Sequence, residues 1–113
     1  MIAMRQFTEQ PNPLTDFHPF DSTYLQIAYG RLFRSKYWAT AKKRTGLSNR
    51  EIQVGILLAK GLATEEIADS LGIGSGTVRN HIKNIKQRIA VSTRVQVVVK
   101  LILATGILTE DVE

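Results

Sequence analysis

Apolar residues recur at helical spacing in the second half of the chain. Val78, Ile82, Ile85 and Ile89 follow an i, i+4, i+7, i+11 pattern, which predicts a helix with one face turned toward a core. A shorter segment of helical character precedes it, and a glycine-rich turn separates the two. The predicted bounds are 64–71 for the first helix, 72–74 for the turn and 75–90 for the second helix. Two helices joined in this way form a helix-turn-helix motif.

Capping signals mark two further helices on either side of this motif. Ser48 with Glu51 and Thr93 with Gln96 each have the spacing of a capping box, in which two side chains satisfy backbone groups at a helix start. Glycines that can end these helices follow at Gly61 and Gly106. Because no segment has the alternation of a strand, the sequence predicts an all-α fold with a four-helix domain over 45–108.

The part of the chain before this domain predicts one additional helix, over 21–44. All three prolines fall within 1–20, which we expect to be a flexible arm because proline disrupts a regular helix. The last residues, 109–113, are read as an acidic tail. Large side chains at i+4 spacing form a row of Leu25, Tyr29, Phe33 and Tyr37. This row predicts burial against the chain's own domain, a second subunit or another protein, in preference to a membrane surface.

Composition excludes several kinds of chemistry. The chain has no cysteine, and its histidines are His18 and His81, so we expect no disulfide, no metal site and no cofactor. No pair of carboxylates and no nucleophile with a neighbouring base supports an enzyme. The sequence shows no signal peptide and no apolar run long enough to cross a bilayer, which predicts a cytoplasmic protein.

Positive charge is concentrated on the second helix of the motif and just after it. Between residues 75 and 94 there are five cations and no acid: Arg79, Lys83, Lys86, Arg88 and Arg94. The whole chain carries a formal net charge of +5. A basic helix face is often only solvated surface, but in a helix-turn-helix it fits the phosphate charges of a duplex. We therefore expect double-stranded DNA as the partner, and association with the nucleoid through it.

Residues 47–108, which are 62 of the 113, resemble the DNA-binding domain of LuxR-type regulators, also called FixJ or NarL type. The residues that carry the resemblance are Leu47, Ser48, Arg50, Glu51, Gly61, Glu66, Ile67, Ala68, Leu71, Ile73, Thr77, Val78, Arg79, His81, Asn84, Ile85, Val91, Arg94 and Gly106. The resemblance implies a four-helix fold in which the third helix enters the major groove and the fourth pairs two subunits.

Individual roles follow from the resemblance and from side-chain chemistry. Expected base contacts are Arg79, Asn80 and Lys83, since these side chains can bond guanine or adenine edges, although any of them could touch phosphate instead. Expected DNA backbone contacts are Thr64, Thr77, Lys86 and Arg88. The two threonines could equally be plain helix caps, and the two cations solvated charge. His81 is expected to be packed or to lie beside a phosphate.

Some positions depart from the family pattern. Gly55 stands where a leucine is customary, which predicts lower stability because glycine disfavours a helix. Thr64 replaces the usual asparagine and can still cap, whereas Glu65 replaces a frequent basic residue and cannot bind phosphate. Gly74 replaces the serine that caps the recognition helix, and Ser75 is expected to take over that role. We expect these changes to weaken DNA binding and to leave the fold as it is in the family.

The last helix has apolar residues on two faces. Its outward positions Val95, Val99 and Ile102 predict pairing of two copies about a two-fold axis. The leading hypothesis is therefore a sequence-specific transcription regulator that acts as a homodimer. We expect it to stand alone, because the 46 residues before the domain are too few for a receiver or ligand-binding domain. The alternative is an antiactivator that forms heterodimers with other LuxR-type proteins.

Overall fold

The computed structural model describes residues 23–109, which form six helices and, over that range, no strand. In chain order they are α1 (Thr23–Leu32), α2 (Ser35–Thr45), α3 (Asn49–Ala59), α4 (Thr64–Leu71), α5 (Ser75–Arg88) and α6 (Arg94–Ala104). The predicted all-α fold with a four-helix domain, here α3 to α6, is confirmed. The expected arm over 1–20 and all of the acidic tail except Thr109 lie outside the described residues.

The described residues fall into two units, which meet between residues 31 and 32. Within the first unit, α1 exposes Leu25, Ile27 and Tyr29. The second unit contains the remaining helices and the hydrophobic core.

The single helix predicted over 21–44 is wrong, because the chain leaves helical geometry at Phe33 and Arg34. Arg34 has extended backbone angles, with φ at −67° and ψ at 140°. The indole Nε1 of Trp38 donates a hydrogen bond of 2.7 Å to the carbonyl of Leu32. The Trp38 ring also stacks on Phe33, with ring centroids 6.1 Å apart. These contacts satisfy a carbonyl that a continuous helix would have bonded within itself, and so they stabilise the break.

The break changes the environment of the predicted i+4 row. Tyr37 is fully buried, Phe33 is half-buried, and Leu25 and Tyr29 are exposed in the described chain. The ammonium of Lys60 lies 5.1 Å from the centre of the Phe33 ring, a cation–π contact that also ties residue 33 to the end of α3. Of the predicted row, Tyr37 is therefore the residue that lies in the core of the second unit.

The core is larger than the four-helix domain alone. Helix α2 packs against α3 and α6 and buries Tyr37, Trp38 and Ala41. The buried apolar residues contributed by the other helices and their connections are Leu47, Ile52, Val54, Leu58, Ile67, Ala68, Val78, Ile82, Ile85, Ile89, Val97 and Leu101. One contiguous core thus holds five helices together, and it positions α5 with its basic face outward.

Close packing explains the glycine at position 55. Gly55 is buried in α3, and a Cβ atom built on it would lie 2.5 Å from Cδ1 of Leu101, a fully buried side chain of α6. A side chain at this position would therefore force Leu101 to move. The helix accepts the unfavourable propensity of glycine because α3 and α6 approach each other there.

Both capping boxes predicted from the sequence are confirmed. The Ser48 hydroxyl accepts from the Glu51 amide while Glu51 accepts from the Ser48 amide. Thr93 and Gln96 form the same reciprocal pair at the start of α6. These boxes fix where α3 and α6 begin, and hence which of their side chains point inward.

Candidate nucleic-acid interface

Helix α5 turns one flank of cations toward solvent. Its buried side chains are Val78, Ile82 and Ile85, which face the core. At about 100° per residue, Arg79, Lys83 and Lys86 fall within an arc of roughly 60° beside this apolar face. Arg79 and Lys83 are exposed, and Lys86 is half-buried. Arg79, Lys83 and Lys86, three of the predicted DNA contacts, therefore share one flank of the helix.

This flank borders an open groove of about 400 Å³. The groove is lined by Thr64 from α4, by Arg79, Ile82, Lys83 and Lys86 from α5, and by Arg94 from α6. Four of the six lining side chains are cationic, and no carboxylate is among them. Such a concentration of positive charge on an open surface suits a polyanion.

Arg94 connects the beginnings of two helices at this groove. Its Nη2 donates a hydrogen bond of 2.8 Å to Oγ1 of Thr64, in a partly buried position. The expectation that Thr64 could cap its helix is wrong, because α4 begins after Ala63 with no side-chain cap, and Glu66 accepts from the Ala63 amide instead. The Arg94 guanidinium is thereby held at the groove.

Sequence reasoning counted Arg94 among the five cations but did not assign it to the interface. The position of Arg94 depends on α6 beginning next to α4, which no spacing along the chain reveals. A signal was nevertheless present, because Arg94 follows the capping residue Thr93 and continues an acid-free basic run. A cation at the start of α6 could therefore have been proposed as a further DNA contact.

The N-terminus of α5 differs from the expected capping. Gly74 is the N-cap and supplies no side chain, so the predicted takeover by Ser75 does not occur. Ser75 is instead the first helical residue, and its hydroxyl donates a 3.4 Å hydrogen bond to Oε2 of Glu65. Thr77 is exposed in the first turn, and Asn80 is exposed roughly opposite the buried face. Neither of these two side chains lines the groove.

Arg88 lies away from the other predicted contacts. Two residues of helix place it roughly 160° around α5 from Lys86. Its Nη1 donates a 3.1 Å hydrogen bond to the carbonyl of Gly46, which ends α2. Arg88 thus ties the end of α5 to the end of α2, in a separate open groove of about 500 Å³ that it shares with Arg44, Thr45, Ile89, Lys100, Leu103 and Ala104.

His81 is half-buried on α5. Within residues 23–109, no group of three histidine, cysteine or acidic side chains is placed to hold a metal ion. Over the same residues, no helix has the length and apolarity needed to cross a membrane.

The outer face of α6 exposes large apolar side chains. Val95 is 71% exposed and Val99 is 50% exposed, whereas Ile102 is half-buried. Leu103, which sequence reasoning did not include, is 56% exposed and lies four residues after Val99. The exposed row therefore has i+4 spacing, and water does not favour so large an apolar face.

A third groove, of about 260 Å³, runs along this row. Its lining residues are Leu58, Gly61, Leu62, Arg94, Val95, Val98 and Val99. Arg94 lines both this apolar groove and the cationic groove beside α5.

Comparison with known proteins identifies the family. The family model described as bacterial regulatory proteins, luxR family, matches residues 45–101. The spore germination protein GerE of Bacillus subtilis is 46% identical over 56 residues, which cover 50% of this chain and 76% of GerE. The chain therefore belongs to the luxR family of bacterial regulatory proteins, and the predicted family is confirmed.

Two longer relatives match the same part of the chain. A putative HTH-type transcriptional regulator in the exeN 3' region of Aeromonas salmonicida is 48% identical over 50 residues, covering 44% of this chain and 26% of that protein. The transcriptional regulatory protein LnrK of Bacillus subtilis is 48% identical over 50 residues, covering 44% of this chain and 23% of LnrK. The chain thus spans about a quarter of the length of these two relatives. No solved structure gave a significant match.

Proposed function

We propose that the chain is a transcription regulator that binds specific DNA sequences as a homodimer, with α5 in the major groove. The observation that carries the proposal is the cationic groove formed by Arg79, Lys83, Lys86 and Arg94. Membership of the luxR family supports it, as do relatives whose names describe transcriptional regulators. A major groove is wide enough to admit one helix together with its side chains.

Base readout is assigned to Arg79, Asn80 and Lys83. All three side chains are exposed, and they lie on the outward half of α5. A guanidinium or ammonium group can donate to guanine O6 and N7, and an asparagine amide can pair with adenine N6 and N7. The three residues lie within about one helical turn, so they would address neighbouring base pairs.

Contacts to the DNA backbone are assigned to Thr77, Lys86 and Arg94. Thr77 is in the first turn of α5, where backbone N–H groups favour a phosphate. Lys86 and Arg94 line the cationic groove, where a phosphate can be bound without regard to sequence. The role of Thr64 is indirect, since its hydroxyl holds Arg94. Arg88 bonds the carbonyl of Gly46 and is not among the assigned DNA contacts.

Pairing of two copies is assigned to the outer face of α6. A two-fold arrangement would cover Val95, Val99 and Leu103 on both copies with the same residues of the partner. Two recognition helices would then address two half-sites about one helical turn of DNA apart.

Selection of bound sequences from a random duplex pool, followed by titration of the selected duplex at several salt concentrations, tests this function. We expect one enriched motif with two-fold symmetry and affinity that falls steeply as salt rises. Lys36→Ala is the matched control, because Lys36 is an exposed cation of α2 that does not line the groove. If the chain binds no duplex yet pairs with another luxR-family domain, the proposal fails and the antiactivator function replaces it.

A further inference from the structure

Glu65 brings a negative charge to the edge of the cationic groove. It directly follows Thr64, which lines the groove, and it is exposed in the first turn of α4. Its Oε2 accepts a 3.4 Å hydrogen bond from the hydroxyl of Ser75, the first residue of α5. The charge is therefore held where α4 and α5 both begin, beside the flank that carries Arg79.

The start of α5 favours a negative charge at this point. The first turn of α5 contains no acidic residue, and its N-cap Gly74 offers no side-chain acceptor. The unpaired N–H groups of a helix start carry a partial positive charge, which stabilises a nearby anion. Glu65 supplies that anion from the neighbouring helix, so the free protein has its own negative charge at the start of the recognition helix.

A duplex would bring further negative charge to the same surface. DNA carries about one phosphate charge per 1.7 Å of its axis, and the four cations of the groove attract it. A carboxylate at the edge of this surface repels the same phosphates over roughly 8 to 10 Å at moderate salt. One acidic residue thus opposes the binding that the four cations favour.

We propose that Glu65 is a negative determinant of DNA affinity, which weakens binding to every duplex irrespective of its sequence. The inference rests on the proposed DNA-binding function and assigns this residue a role opposite to that of Arg79, Lys83, Lys86 and Arg94. Because repulsion of phosphates carries no sequence information, Glu65 lowers affinity without changing which bases are preferred.

Glu65→Gln isolates the charge, because the Gln amide oxygen still accepts a hydrogen bond from Ser75. The matched control is Asp69→Asn, which makes the same change of net charge at an exposed position about 6 Å further along α4. Dissociation constants are measured by fluorescence anisotropy for the selected duplex and for a random duplex, at several salt concentrations. Glu65→Lys is measured in the same way, and melting temperatures show whether each variant is folded.

For Glu65→Gln we expect binding about three- to tenfold tighter on both duplexes, with the same ratio between them. Asp69→Asn should give a smaller gain, because its charge is further from the groove. Glu65→Lys should bind more tightly still, and its dependence on salt should steepen by about one unit of slope.

A folded Glu65→Gln protein that binds no more tightly than the wild type overturns the inference. So does a loss of affinity confined to duplexes with cytosine at one position, since a carboxylate can accept from the cytosine amino group and would then be reading a base. Failure of the wild type and both Glu65 variants to bind any duplex would instead overturn the proposed function itself.

Discussion

Arg79 is the side chain on which we expect sequence preference to depend most. It is exposed at the second turn of α5, on the flank beside the groove. Replacing Arg79 by Ala should weaken binding to the selected duplex by about 1 to 3 kcal/mol and relax the preference at one base position. Competition assays with single-base variants of the duplex measure both effects.

Lys86 provides the comparison for this substitution. Lys86→Ala should lower affinity for all duplexes alike and reduce the salt slope by about one, as expected for a phosphate contact. If Arg79→Ala behaves in the same way and leaves base preference unchanged, Arg79 binds phosphate and the assignment to base readout is wrong.

Gly55 allows a prediction on stability in which two effects oppose each other. Alanine is favoured over glycine in a helix by about 1 kcal/mol. At this position, however, the added Cβ meets the fully buried Leu101, and overpacking a core typically costs about 1 to 3 kcal/mol. We therefore expect Gly55→Ala to lower the free energy of unfolding in urea, followed by circular dichroism.

The control for this prediction is Gly76→Ala in α5, where the nearest atom to an added Cβ is a mobile guanidinium nitrogen of Arg79 at 4.0 Å. That variant should be as stable as the wild type or more stable. A stabilising Gly55→Ala would show that Leu101 moves aside without loss.

At this scale the sequence predicted residue types better than residue partners. The exposed positions of Arg79, Asn80 and Lys83 follow from helical period alone, because the apolar stripe fixes which side is inward. The bonds of Thr64 to Arg94 and of Ser75 to Glu65 join residues 30 and 10 positions apart. No local pattern encodes them, since they depend on how separate helices pack.

Among the elements, α6 presents the surface that we expect to pair. Val99→Asp would place a charge in the middle of the exposed row of Val95, Val99 and Leu103. A buried unpaired carboxylate is strongly unfavourable, so pairing should be lost while the fold is retained. Sedimentation velocity measures the oligomeric state.

Leu108→Asp is the matched control, since Leu108 is also an exposed apolar residue but lies beyond the end of α6. It should pair as the wild type does. A wild type that remains monomeric both free and on DNA would contradict the pairing.

Helix α2 precedes the part of the chain matched by the family model, apart from its last residue, yet it contributes to the core. Trp38 is 2% exposed, and its loss would leave a large cavity against α3 and α6. Trp38→Ala should therefore lower the free energy of unfolding by about 3 to 5 kcal/mol, measured in urea. Lys36→Ala, which removes a cation–π contact with Tyr37 at the surface, should change it by no more than about 1 kcal/mol. If Trp38→Ala is as stable as the wild type, packing of α2 does not contribute to the stability of the domain.

The sequence predicted the starts of α3 and α6 correctly because capping boxes are local. It missed the break before α2 because the row of Leu25, Tyr29, Phe33 and Tyr37 has helical spacing on both sides of it. The break is stabilised by Trp38, which bonds the Leu32 carbonyl and stacks on Phe33. Apolar periodicity alone cannot distinguish one long helix from two short helices of the same phase.

For the molecule as a whole, pairing through α6 would fix the distance between two recognition helices. Inserting about five base pairs between the half-sites rotates one of them by half a turn of DNA. A rigid pair of domains cannot then reach both, so affinity should fall to that of a duplex with a single half-site. Insertion of about ten base pairs leaves both half-sites on the same side of the duplex but moves them further apart, and this duplex serves as the comparison. Unchanged affinity in both cases would indicate monomeric binding.

The burial of Trp38 has a practical consequence. It is the one tryptophan of the chain, so the indole emission of the full protein originates from a single, dry site at the junction of α2 with the domain. Release of α2 would expose the ring to water and shift its emission to longer wavelength, even if α3 to α6 stayed folded. The chain thus carries an intrinsic optical reporter, and comparing its signal with the circular dichroism of the helices can reveal whether the junction opens before the domain unfolds.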